Sequence, residues 1–282
     1  MPIDYPRLMA LRTPEQRFAY ADREAILYAL SVGFGREADE LPFVFERPNL
    51  RTVPTLAVVI APTGVIHKTG VDMTKVLHGE QDLVLHRPLP AAAEIVAQSR
   101  VVEAFDKGEG KGAVLQLETA ARLASDDAPL FTSTMTIVAR ADGGFGGSQA
   151  APPAPHALPD RPRDEVVGLQ TRADQALLYR LNGDRNPLHA DPAFALRAGF
   201  DRPILHGLCS YGVACRALVK SVCKGDPDRI ASFGARFSAP AFPGDTIDTE
   251  IWEDAETVSF RCKARERDVV IINNGRCLLR RA

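Results

Sequence analysis

Apolar and polar positions alternate differently along different parts of this chain of 282 residues. The run GLCSYGVACRALVKSVCK (207–224) is apolar almost throughout and rich in Ala, Leu and Val. Such a run predicts a buried helix of four to five turns. Upstream, Leu177, Leu178 and Leu181 recur at helical spacing, which predicts a short amphipathic helix. Thr171-Arg-Ala-Asp174 has the spacing of an N-terminal cap for that helix, and Asn182-Gly183 supplies residues that tolerate the left-handed conformation ending it. VDMTKVLHGEQDLVLHRPLP (71–90) alternates as a strand does, with polar breaks. The final run, VVIINNGRCLLRRA, is strand-like too, and its Asn274-Gly275 resembles a hairpin turn.

One segment has almost no periodicity. Residues 141–163, ADGGFGGSQAAPPAPHALPDRPR, are Gly-, Ala- and Pro-rich, and read as a linker or long crossover. It divides the chain into an N-terminal half, 1–140, and a C-terminal half, 164–282. The halves look related. AILYALSVG (25–33) matches ALLYRLNG (176–183), PTLA (54–57) matches PILH (203–206), and HRPLPAAAEI (86–95) matches SAPAFPGDTI (238–247). Three matches in the same order, at nearly constant offset, predict a duplication. Each half then reads as a short helix, a loop, an apolar segment and several strands. That pattern predicts an α+β architecture in which an antiparallel sheet wraps a helix, twice over.

Composition narrows the function classes. The chain is 45% hydrophobic and 25% charged, with a formal net charge of −2, so no broad electrostatic case exists for nucleic acid. No stretch approaches the roughly 20 uninterrupted apolar residues of a membrane span. The first residues, MPIDYPRLMALRTPEQRF, scatter their charges and do not read as a signal peptide. The five cysteines, Cys209, Cys215, Cys223, Cys262 and Cys277, are odd in number and contain no CxxC. Reduced thiols in a cytoplasmic protein are expected, with no metal site.

The densest chemistry lies in YRLNGDRNPLHADPAFALRAGFDRPILHGLCSYG (179–212). Gly183 and Pro187 keep the loop out of regular structure, so Asp184 and His189 can turn toward one point. A carboxylate beside an imidazole can share a bound water, one accepting its proton while the other orients it or later donates. Asn186, between them, can hold a carbonyl or the water. The same Gly, Asp, Asn and Pro also suit a plain surface turn. His206-Gly207 opens the long apolar helix, and a helix start offers free N–H groups to an oxygen that becomes anionic. Tight packing at a helix start would equally explain Gly207.

This segment resembles the signature of the hydratase 2 family, the MaoC-like (R)-specific enoyl-CoA hydratases. The resemblance rests on Tyr179-Arg-Leu-Asn-Gly-Asp184-Arg-Asn186-Pro-Leu-His189, Ala198-Gly-Phe200 and Pro203-Ile-Leu-His206-Gly207-Leu208. Arg236-Phe237-Ser238 and Phe242-Pro-Gly-Asp245 extend it. Asn182 departs from it, where a smaller Ser or Thr is common. The resemblance implies a double hotdog, two long helices each wrapped by an antiparallel sheet, and a lyase of fatty acid metabolism. It implies syn addition of water to a trans-2-enoyl-CoA by Asp184 and His189, with Asn186 positioning and Gly207 donating its N–H to the thioester oxygen. It further implies no metal or redox cofactor, an acyl-CoA thioester as partner, and a homodimer. Arg236, Phe237 and Ser238 are the candidate CoA contacts, with Lys263 and Arg265 as further cations.

The first half has Ser31-Val-Gly-Phe-Gly35 and Ala57-Val58 where the second has Asn182–Asn186 and His206-Gly207. One site per chain is therefore expected, with the degenerate half accommodating a medium or long acyl chain. His67, His78, His86 and Trp252 are expected to be structural or solvent-facing, His156 exposed, and Cys209 and Cys215 buried without a nucleophilic role. Two rival readings keep the thioester. One is a dehydratase acting on a specialised hydroxyacyl-CoA or acyl-carrier-protein substrate; the other is a non-catalytic acyl-CoA-binding protein.

Overall fold

The computed structural model describes residues 3–281. Its strands are β1 (Gln16–Tyr20), β2 (Val76–Leu85), β3 (Ala93–Asp106), β4 (Ala113–Leu123), β5 (Pro129–Ala139), β6 (Glu165–Gln170), β7 (Ile230–Phe237), β8 (Thr246–Asp254), β9 (Thr257–Ala264) and β10 (Val269–Leu279). Its helices are α1 (Tyr5–Met9), α2 (Asp22–Ser31), α3 (Gln175–Tyr179), α4 (Pro192–Arg197) and α5 (Gly207–Lys220), with short 3-10 turns between. The strands form one ten-stranded sheet in the order β1-β3-β4-β5-β2-β7-β10-β9-β8-β6. Read outward from the β2–β7 junction, the two sides carry equivalent strands in the same order, as a duplication requires. The junction itself is an antiparallel pair running from Glu80↔Arg236 to Val84↔Ser232. Two hotdog units therefore share a continuous sheet.

The central helix is not duplicated. In the second half α5 is buried at every residue from Cys209 to Val219. The equivalent place in the first half holds only a 3-10 turn, Pro54–Val58. The expectation of a long helix in each half is thus corrected for the first. Continuing that turn as a helix would bring Pro62 against the Val58 carbonyl without an N–H to offer. Gly64 then takes a left-handed φ of 70°. One helix serves both halves: a Cβ on Gly212 of α5 would come within 2.4 Å of Val32, just past α2, so glycine is what permits this approach.

Local details adjust three further expectations. The Thr171 hydroxyl does not cap α3; it donates to the Asp245 carbonyl and accepts from Gly244 N–H, tying the segment to the turn before β8. Leu177 and Leu181 are about half exposed, so the apolar stripe of α3 is buried only in part. Asn274-Gly275 is no hairpin turn. It lies within β10, where the register with β9 shifts and Asn274 is left-handed, the signature of a bulge.

Segment 141–163 contains no helix or strand, yet it is pinned at both ends. The Asp106 carboxylate at the end of β3 accepts from the N–H groups of Gly108, Gly144, Gly146 and Gly147. Farther along, the His156 ring bonds to Ser259 Oγ at 2.8 Å, and its carbonyl accepts from Asn274 Nδ2. His156 is thus half-buried against the second half and not freely exposed. All five cysteines are buried and unpaired. No helix of the described residues is long and apolar enough to cross a membrane.

Candidate active site

The segment between α3 and α5 folds through a chain of local hydrogen bonds. Gly183, at φ 124°, turns the chain out of the 3-10 turn Arg180–Asn182. Asp184 Oδ1 then accepts from Asn186 N–H at 3.0 Å, and Asn186 Oδ1 accepts from Leu188 N–H at 3.0 Å. The second bond caps the turn Pro187–His189 and aims His189 inward. The Asn186 oxygen is therefore spent on the turn, and its NH2 is the end available to a ligand.

His189 is 8% exposed. Its Nδ1 lies 2.9 Å from the Ile204 carbonyl. A carbonyl only accepts, so Nδ1 carries the hydrogen and Nε2 keeps a bare lone pair. That Nε2 stands 3.9 Å from Asp184 Oδ2, too far for a direct hydrogen bond. The gap suits one bridging water. Burial holds the His189 pKa below the ordinary imidazole value, against the opposing pull of the Ile204 carbonyl and Asp184. The ring is therefore neutral near pH 7.

His206, at the N-cap of α5, lies flat on His189 with ring centroids 3.7 Å apart and planes 25° from parallel. Its Nε2 faces the Asp184 carbonyl at 3.3 Å, which makes it the protonated nitrogen and leaves Nδ1 buried without a partner. Burial, reinforced by His189, pushes its pKa down to about 4. Tyr179 packs against His206 too, with ring centroids 4.9 Å apart. The site thus abuts the start of α5, where the first N–H groups have no intrahelical acceptor.

Phe237 covers this helix start. A Cβ on Gly207 would meet its ring at 3.3 Å. The first half reaches the same place through His78 of β2, whose ring packs edge-on against Phe237 with centroids 4.9 Å apart. Burial pushes the His78 pKa down to about 4. Its Nε2 is buried without a partner, so His78 is part of the site's surroundings and not a solvent-facing residue. Strand periodicity explains why sequence reading missed it: alternation places His78 on a face but cannot say which residues of the other half lie opposite.

The structure brings Asp184, His189, Asn186, Gly207 and Phe237 into one region. Arg236 is not among them. Neighbouring strand residues point to opposite faces, and Arg236 pairs with Glu80 at 3.6 Å on the side crossed by linker residues 152–155. Ser238 bonds through its backbone N–H to the Ile271 carbonyl. Lys263 and Arg265 are paired with Asp268 and Asp248.

Beside the 182–185 loop opens a cleft of about 920 Å³. Leu27, Leu30, Leu56 and Ile60 of the first half line it, and Gly183 and Arg185 flank it from the second. Val59 and Pro62, which follow the 3-10 turn Pro54–Val58, line it as well.

Fold and site together define a double hotdog protein of the MaoC type. Residues 155–274 match the MaoC like domain, and residues 18–141 match the MFE-2 hydratase 2 N-terminal domain. The chain is 43% identical to 3-hydroxyacyl-thioester dehydratase Y of Mycobacterium tuberculosis, over 89% of this chain and 88% of that protein. It is 37% identical to the peroxisomal enoyl-CoA hydratase 2 of Arabidopsis thaliana, covering 94% and 92%. A MaoC-like dehydratase from Phytophthora capsici superposes with a TM-score of 0.88 at 31% identity, covering 98% and 99%. The chain belongs to the MaoC-like hydratase 2 family.

Proposed function

We propose that this chain is an (R)-specific 2-enoyl-CoA hydratase, which reversibly converts trans-2-enoyl-CoA to (3R)-3-hydroxyacyl-CoA. The observation that carries this reading is the 3.9 Å gap between Asp184 Oδ2 and the bare Nε2 of His189, beside the start of α5. A water held in that gap adds its oxygen to C3 of the enoyl group and passes a proton to the pair. The pair returns a proton at C2, so the elements of one water are added overall. As the C3–O bond forms, charge moves onto the thioester oxygen, where the N–H of Gly207 meets it. Asn186 holds the His189 turn, and its NH2 orients substrate or water.

The scheme involves no change of oxidation state, and it assigns the proton transfer to Asp184 and His189 and the oxygen's charge to the Gly207 N–H, so it calls on no metal or redox group. The apolar cleft of the first half takes the acyl chain, which favours medium or long chains over crotonyl. Phe237 borders the thioester. The enzyme works on a CoA thioester in the cytoplasm, as a homodimer. Dehydration of a 3-hydroxyacyl thioester is the same step reversed, the direction for which the M. tuberculosis relative is named.

The test follows the loss of enoyl-thioester absorbance with trans-2-enoyl-CoAs from C4 to C12, then assays the product with (R)- and (S)-specific hydroxyacyl-CoA dehydrogenases. The (R) product and a preference for longer chains are expected. An (S) product would remove the stereochemical assignment, and equal efficiency on crotonyl-CoA would remove the cleft's role. Hydration only of acyl-carrier-protein thioesters would replace CoA as the carrier.

A further inference from the structure

The duplication places Ala25–Ser31 over Ala176–Asn182, residue for residue. Two equivalent pairs in this alignment touch each other in the fold. The rings of Tyr28 and Tyr179 lie 6.1 Å apart, and Asn182 Nδ2 donates to Ser31 Oγ at 2.8 Å. A residue meeting its own counterpart marks the axis that relates two copies, as in an isologous dimer interface. Here the counterparts at one such point have diverged into a donor and an acceptor.

Ser31 is a fixed anchor. It is fully buried, and its hydroxyl donates to the Tyr28 carbonyl at 2.7 Å. Its carbonyl accepts from Gln175 Nε2 and from Cys209 Sγ, so it joins α2, α3 and α5. Asn182 spends its other amide hydrogen on the Tyr179 carbonyl at 2.9 Å. Immediately after it comes Gly183, where a Cβ would meet nothing within 4 Å, and then Asp184, whose side chain is 55% exposed. Between the anchor and the reacting carboxylate there is thus a single glycine, whose N–H is held by the Arg180 carbonyl at 3.2 Å.

We propose that Asn182 is a positioning residue, whose amide bond to Ser31 of the degenerate half sets where Asp184 stands relative to His189. The inference rests on the reading of Asp184 and His189 as the proton-transfer pair. It gives the degenerate half a part in the chemistry beyond housing the acyl chain. The bond needs a donor at the end of a side chain of this length.

The experiment is a double-mutant cycle with Asn182→Ala, Ser31→Ala and the two combined, measured as hydration kcat and KM on one efficiently used enoyl-CoA, with thermal melts of each protein. Asp184→Asn is run alongside. Misplacing the carboxylate predicts a fall in kcat of about tenfold in each single variant with KM little changed. The double variant should then be no slower than the singles, because one bond is removed once. Multiplying losses would overturn the proposal. So would lower melting temperatures with kcat intact, which mark a structural bond alone, or a raised KM with kcat intact, which marks Asn182 as cleft wall. If Asp184→Asn itself hydrates at the wild-type rate, the reading of the pair fails. If Asp184→Asn is inactive while the alanine variants are fully active, only the positioning role fails.

Discussion

The two halves of this molecule are copies that solved different problems. Each has five strands in equivalent order, and each has a helix closing on a Tyr-x-x-polar sequence, Tyr28–Ser31 and Tyr179–Asn182. After that point they part. The second half continues into a loop carrying Asp184 and His189, and then into the buried helix α5. The first half has Val32–Gly35 at the start of the equivalent loop, and in place of the helix a 3-10 turn that ends at Val58, before Pro62 and Gly64. The comparison teaches that the stretch equivalent to the long helix of one copy can serve as a cleft wall in the other. One copy keeps the helix, and with it the free N–H groups of a helix start beside Asp184 and His189. The other gives up the helix and gains a lined space beside the loop. A single asymmetric site of this kind is open to a duplicated chain, whereas a symmetric homodimer must build both its sites alike.

The comparison can be broken most sharply at the proton-transfer pair. His189→Ala should lower hydration kcat by about 10²–10⁴, while His67→Ala, at an exposed position of the first half, should leave it within about twofold. Comparable losses in stopped assays of both variants would remove the asymmetry. Gly207→Ala comes next. The added Cβ would press on the Phe237 ring at 3.3 Å and displace the helix start, costing about tenfold in kcat. Phe237→Leu in the same chain should recover part of the loss, and no recovery would mean that the ring is not the obstacle.

Smaller effects test the first half. Ile60→Trp puts an indole into the cleft and should lower kcat/KM several-fold for C10–C12 enoyl-CoAs while sparing C4, within the few kcal/mol at stake in such pockets. Uniform loss across chain lengths would contradict the cleft's role. For stability, His78 and His206 are held neutral down to about pH 4 in the fold, whereas in the unfolded chain they titrate near 6.5. The unfolded state then binds more protons between these values, so stability is full above about pH 6.5 and falls as pH drops toward 4. Denaturant midpoints across that range should show the loss, and replacing His78 by Phe should flatten it. Finally, Asp106→Asn removes a carboxylate that accepts four backbone N–H groups and should cost about 1–3 kcal/mol without changing kcat.

Much of this was legible in the residues. The duplication showed because matched positions carry apolar patterns at nearly constant offset, and the mirrored strand order agrees. The loop showed because Gly, Asp, Asn, Pro and His carry chemistry and backbone preference together. Pro62 and Gly64, which keep a long helix out of the first half, stand in the sequence, whereas the repeat by itself points to a helix in both halves. What stayed hidden depends on faces meeting in space. His78 reaches Phe237 only because β2 and β7 pair at the junction, and the stacking of His206 on His189 brings together residues seventeen apart. Arg236 lies on the opposite side of the sheet from Phe237 for the same reason: a sequence displays its charge and not the face it occupies. The Gly-rich run read as a linker, since nothing local shows that Asp106 gathers its N–H groups.

The most direct measurement is the hydration rate of a long-chain trans-2-enoyl-CoA by the wild type and by Asp184→Asn, with the product's configuration assigned enzymatically. The account predicts the (R) alcohol from the wild type and a rate lower by about 10² or more in the variant, whose fold is unchanged. A variant that hydrates as fast as the wild type would place the proton transfer somewhere other than the Asp184–His189 pair.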